Sequence, residues 1–94
     1  MASDVNLVIF DPQMGAIVCD AWIGMSDTIA KARSVLRRDP DHAIGFECWA
    51  RLQLDEILEI SATHYLEGAG PDEIQELAAR FPPDGAWWML FHDY

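Results

Sequence analysis

The chain opens on Val5-Asn6-Leu7-Val8-Ile9-Phe10, a β-branched, apolar run that predicts a buried strand over 5–10. Asp11-Pro12-Gln13-Met14-Gly15 is turn chemistry, with Pro presetting φ and Gly allowing a positive one. A second strand over 16–23 completes a hairpin, and Asp20 within it turns one face toward water. Gly24 and Met25 break the pattern. Ser26 reads as the N-cap of a helix over 27–38, whose apolar stripe is Ile29, Ala32, Val35 and Leu36. Lys31, Arg33, Arg37 and Arg38 fill its other faces, and Asp39-Pro40-Asp41 stops it.

Over 43–53 the pattern switches to period two. Ile44, Phe46, Cys48, Ala50, Leu52 and Leu54 alternate with Gly45, Glu47, Trp49, Arg51 and Gln53, which predicts a half-buried strand, a helix being the alternative. From Asp55 the period returns to helical, with Ile57, Leu58, Ala62, Tyr65 and Leu66 on one face and Gly68 as the stop. This predicts a helix over 55–67, although Ile60, Ser61 and Thr63 also suit a strand. Gly70-Pro71-Asp72-Glu73 starts a third helix over 71–81, apolar at Ile74, Leu77, Ala78 and Phe81 and closed by Pro82-Pro83. Asp84-Gly85 is a turn, and 86–92 is a strand that is hydrophobic on both sides.

The expectation is one α+β domain spanning 1–94. Its mixed or antiparallel sheet has about four strands (5–10, 16–23, 43–53 and 86–92), with helices 27–38, 55–67 and 71–81 packed on one face. Residues 31–52 resemble the junction between tetratricopeptide repeats, where a helix ends in a similar Asp-Pro-Asp turn. Such repeats recur after 34 residues, where Glu73-Ile74 follows Asp39-Pro40, so the resemblance does not extend to a repeat array.

Length and composition narrow the function. Ninety-four residues, 51% hydrophobic and 23% charged, suit one soluble core. Sixteen acids against six Lys and Arg give a formal net charge of −10, which argues against direct binding to nucleic acid phosphates or an anionic membrane. No apolar run approaches a membrane span, and the acidic start at Met1-Ala2-Ser3-Asp4 is unlike a signal peptide. Two cysteines, Cys19 and Cys48, are too few for a disulfide scaffold and fit reduced, buried thiols in a cytoplasmic protein.

Candidate chemistry is sparse. Cys19, Cys48, His42, His64 and His92 lack the short spacings of a zinc site. Ser3, Ser26, Ser34 and Ser61 lie in no nucleophile elbow, and Gly68-Ala69-Gly70 lacks the Lys of a phosphate loop. No catalytic residue, metal or cofactor is assigned, and the chain reads as a non-enzyme.

Charge distribution is the more informative signal. Residues 52–79 contain Asp55, Glu56, Glu59, Glu67, Asp72, Glu73 and Glu76 with no Lys or Arg, whereas four of the six bases lie between Lys31 and Arg38. Glu56 with Glu59, and Glu73 with Glu76, each share a helical face. Trp22, Trp49, Trp87 and Trp88 are many for this length, and on a strand Trp87 and Trp88 must point to opposite faces. Leu90 shares the Trp88 face, and Met89 on the other suits an adaptable contact surface. Trp88 is therefore expected inward, with Trp87 outward beside Trp49.

The expected function is a small acidic module that blocks the basic surface of a protein partner, such as a nucleic-acid-binding protein or complex. The partner-binding residues are Asp55, Glu56, Glu59, Asp72, Glu73, Glu76, Trp49 and Trp87. Size and charge suit an inhibitor of the anti-CRISPR, DNA-mimic or toxin-immunity kind. The alternative is a small homodimeric ligand-binding or accessory domain of bacterial metabolism or regulation, joined through its Trp face.

Overall fold

The computed structural model describes residues 3–44, 47–82 and 87–93, with only the backbone described at Ser3 and Asp93. Among these residues, three helices cover one face of a five-stranded antiparallel sheet, as an α+β domain requires. The strands are β1 (Ser3–Asp11), β2 (Ala16–Ser26), β3 (His42–Ile44), β4 (Glu47–Leu52) and β5 (Trp87–Asp93), in the order β2-β1-β5-β4-β3. The expected turn at Asp84-Gly85, and Ala86 at the start of the last strand, lie outside the described residues.

The β1–β2 hairpin turns where the chain chemistry places it. Asp11 Oδ1 accepts hydrogen bonds from the backbone N–H of Gln13 (3.0 Å) and Met14 (3.3 Å), and Gly15 takes φ 65°. Val5, Leu7 and Ile9 of β1 point into the helix layer, as do Cys19, Ala21 and Ile23 of β2. The next element, α1 (Thr28–Leu36), is capped by Asp27 rather than Ser26: the Asp27 carboxylate accepts from Ala30 N–H at 3.0 Å, while Ser26 still pairs with Ser3 in the sheet. The helix ends at Arg37 in the left-handed region, φ 57°, whose N–H reaches Arg33 O.

The expected single strand over 43–53 is two strands. Ile44 pairs directly with Glu47, so the chain reverses between them; Gly45 and Phe46 lie outside the described residues. Directly paired residues share a face, so this short reversal flips the parity of the pattern. Ile44, in phase with Cys48 in the sequence, therefore emerges on the opposite face and is 71% exposed. Ala43 takes the place beside Cys48 instead.

The second helix is α2 (Leu54–Thr63), shorter than 55–67. Its buried face is Ile57 and Ile60, not the stripe through Leu58, Ala62 and Tyr65, which are exposed. The chain leaves the helix at His64, and three residues later Glu67 reaches the sheet. The N–H groups of Glu67 and Trp22 each donate to the other's carbonyl at 3.1 Å, closing the outer edge of β2. Then α3 (Pro71–Ala79) starts on Pro71 as expected and buries Ile74 and Leu77. These helical residues meet Leu52, Trp87, Met89 and Phe91 in one continuous core.

Candidate protein-binding surfaces

The sheet face turned away from the helices is built by alternation. On β1 it carries Asn6, Val8 and Phe10; on β5, Trp88, Leu90 and His92; on β4, Glu47, Trp49 and Arg51. Strand register aligns these into rows. One row runs Asp20, Val8, Leu90, Trp49, His42 across all five strands, and the next runs Ile17, Phe10, Trp88, Arg51. Trp49 lies between two rings. It stacks on His42 at a centroid distance of 5.2 Å and 11°, and meets Trp88 edge to face at 4.7 Å. Phe10, Trp49, Trp88 and Leu90 line a shallow apolar depression of about 230 Å³. Val8, on the same face, is 6% exposed, whereas Ile17 at the margin is 62% exposed.

Trp87 is therefore not outward. It is 3% exposed, packs on Phe81 at 5.2 Å and belongs to the core with Met89 and Phe91, while Trp88 takes the open face. The polar residue in phase with Trp88, His92, is the signal that separates the two sets: a core-facing strand side does not end on an imidazole when the alternative is Phe91. Sequence reasoning also missed Val8, Phe10, Leu90, Arg51 and His42 as members of this face, since an unbroken apolar run does not say which half of it meets solvent.

The acids divide into two groups. Those of α2 are largely engaged. Glu56 takes a bidentate contact from Arg38 (Nε 2.8 Å, Nη2 3.2 Å), accepts from Gln53 N–H at 3.1 Å, and is mostly shielded from solvent. The hydrogen bond to Glu56 pushes the Arg38 pKa above its ordinary value, against the opposing effect of partial burial. Glu59 pairs with Arg37 at 3.1 Å, and Asp55 Oδ1 accepts from Glu56 N–H. Arg38 also donates to Arg51 O at 2.8 Å, tying α1, α2 and β4 together.

Those of α3 are not engaged. Asp72, Glu73 and Glu76 are exposed and make no ion pair among the described residues. Glu73 and Glu76 join Asp20 along a groove of about 520 Å³ between α3 and β2, where Arg80 is the one base among the described lining residues. Cys19 lies at its floor; burial, reinforced by Asp20 and Glu73, pushes its thiol up to about 11. Cys48 is likewise buried and raised, with burial the main cause. Both thiols are free, and neither is activated for nucleophilic chemistry. No cluster of three metal-ligating side chains occurs among the described residues.

The acids and Trp49 thus do not form one surface. The carboxylates of α2 and α3 project from the helix layer, and Trp49 lies on the far side of the sheet, in the row that begins at Asp20. The fold is a small α+β sandwich with one face left open. Compared with known proteins, the chain matches no family model, no curated sequence and no solved structure.

Proposed function

We propose that the protein is a non-enzymatic binding module that occupies a basic surface of a protein partner through α3 and the adjoining margin of β2. The observation that carries this reading is the contrast between the two acidic helices. Glu56 and Glu59 are bound to arginines of their own chain, while Asp72, Glu73 and Glu76 are exposed and make no ion pair among the described residues, with Asp20 beside Glu73 and Glu76. Carboxylates held ready on a rigid helix add attraction and orientation to encounter, and they penalise acidic competitors. A partner that handles nucleic acid supplies such a basic surface, so inhibition of the anti-CRISPR, DNA-mimic or toxin-immunity kind is the form of activity this charge suits. In that role the acids of α3 stand in for phosphates, and the acids of α2 hold the fold. A cytoplasmic setting accords with two free, buried thiols and with no described helix long and apolar enough to cross a membrane.

The test is affinity capture from cell lysate at low and high salt, comparing the natural chain with a variant carrying Asp72→Lys, Glu73→Lys and Glu76→Lys. The expected result is a set of basic proteins retained at low salt, released at high salt and lost by the variant. Retention of the same set by the triple variant would overturn the reading.

A further inference from the structure

We propose that the groove between α3 and β2 receives an extended, basic segment of the partner, which adds to the outer edge of β2 as a short strand. This rests on the acidic-surface reading above and gives the contact its form, backbone pairing as well as charge. Among the described residues, Glu67 closes the outer edge of β2 at Trp22 only, taking both of its outward backbone groups. Gly68 then takes φ 98° and turns the chain off the edge; a Cβ there would lie 3.5 Å from the Asp20 carbonyl oxygen. Backbone groups of an antiparallel strand face alternate sides, so Asp20, two residues from Trp22, also turns its N–H and carbonyl outward. No backbone hydrogen bond from another described segment reaches them. Outward groups of this kind are a template for a further strand. The groove of about 520 Å³ lies against this stretch, with residues 17–20 as one wall and Glu73, Glu76 and Leu77 of α3 as the other. Val18 has no place in the register with β1, so the usable edge is short, roughly 13 Å over four residues.

Charge selects the occupant. Side chains of an added strand alternate between the two faces of the sheet. On the helix side they meet Glu73 and Glu76; on the other face they meet Asp20, whose Oδ1 accepts from Asn6 Nδ2 at 2.9 Å. Acid on both faces suits two consecutive basic residues, one answered on each face. Arg80, the one base among the described lining residues, follows the far end of α3, so the basic pair belongs at the Glu73 end. A second copy of β2 laid edge to edge would set this acidic fringe against itself, which disfavours self-association there.

The probe is a capped peptide of about seven residues, Thr and Val flanking a central Arg-Lys pair. Titrated into the isotope-labelled chain and followed by amide NMR, it is expected to shift the resonances of residues 17–20 and to slow solvent exchange of the Asp20 amide. Esters in place of the two central peptide amides remove N–H donors while keeping charge and shape, and should weaken binding about fivefold, the worth of one backbone hydrogen bond. Glu73→Lys combined with Glu76→Lys should weaken it about tenfold. Equal binding of the ester peptide, or unchanged exchange at Asp20, overturns strand addition and leaves the acidic-surface reading standing. No binding at about 1 mM peptide also overturns strand addition. The acidic-surface reading itself falls only in the lysate capture.

Discussion

Trp49 and Trp88 meet edge to face across β4 and β5, with ring centroids 4.7 Å apart at 89°, on the side of the sheet opposite the core. One residue before Trp88, Trp87 faces the helices and is almost fully buried. Adjacent residues of one strand thus fill different environments, and their truncations separate them. Trp87→Ala opens a large cavity beside Phe81 and should cost about 3–5 kcal/mol, enough to unfold most of the population of a domain this small. Trp88→Ala loses a half-buried ring and one aromatic pair, about 1–2 kcal/mol, and leaves a folded chain. Urea titrations of the two variants measure this difference; equal costs would mean that the open face is covered in the monomer.

The helix start offers a finer contrast. Asp27 supplies the cap of α1, accepting from Ala30 N–H, while Ser26 ends β2. Asp27→Ala should therefore cost about 1 kcal/mol, and Ser26→Ala should stay within about 0.5 kcal/mol. Thermal melts of both variants check the assignment, which fails if the Ser26 variant is the weaker one.

The two acidic helices should respond differently to neutralisation. Glu56→Ala removes a bidentate arginine contact and a capping acceptor together, and is expected to lose about 1–2 kcal/mol. Glu76→Ala removes an exposed carboxylate with no ion pair among the described residues, and should change stability by less than about 0.5 kcal/mol. Chemical denaturation reads both. A Glu56 variant as stable as the natural chain would mean that the Arg38 contact contributes nothing net.

How much of this was legible in the sequence depends on the range of the interaction. Local signals were sufficient for the hairpin, the Pro71 helix start and the burial of both cysteines, because turn residues, caps and periodicity act within a few positions. The 43–53 alternation misled because a two-strand hairpin and one long strand differ by a parity flip, and Ile44 carries no mark of the face it will take. The Arg38–Glu56 pair joins residues 18 apart on different elements, so no spacing rule finds it. That pair changes the reading of α2 from free surface to internal contact. The order of Trp87 and Trp88 was within reach, through His92 in phase with the outward ring, but both faces of the strand are apolar enough to hide it.

The Cys19 thiol makes stability depend on pH at the alkaline end. Burial, with Asp20 and Glu73 adding repulsion, raises its folded pKa from 9.0 to about 11. A raised pKa means that the folded protein holds the proton more tightly than the unfolded chain. Below pH 9 both states are protonated, and the contribution to stability is fully present. As pH rises from 9 toward 11, the unfolded chain loses its proton first, so unfolding becomes easier by up to about 2–3 kcal/mol. Cys48, also raised by burial, adds to the same slope. Cys19→Ala keeps the site apolar and removes the titrating group, so its stability should fall less over that interval whatever its absolute value at neutral pH. Urea titrations of the natural chain and the variant between about pH 8 and 11 measure the slope directly. Parallel curves would show that Cys19 ionises as readily in the folded protein as in the unfolded chain, and that the floor of the α3–β2 groove is open to water.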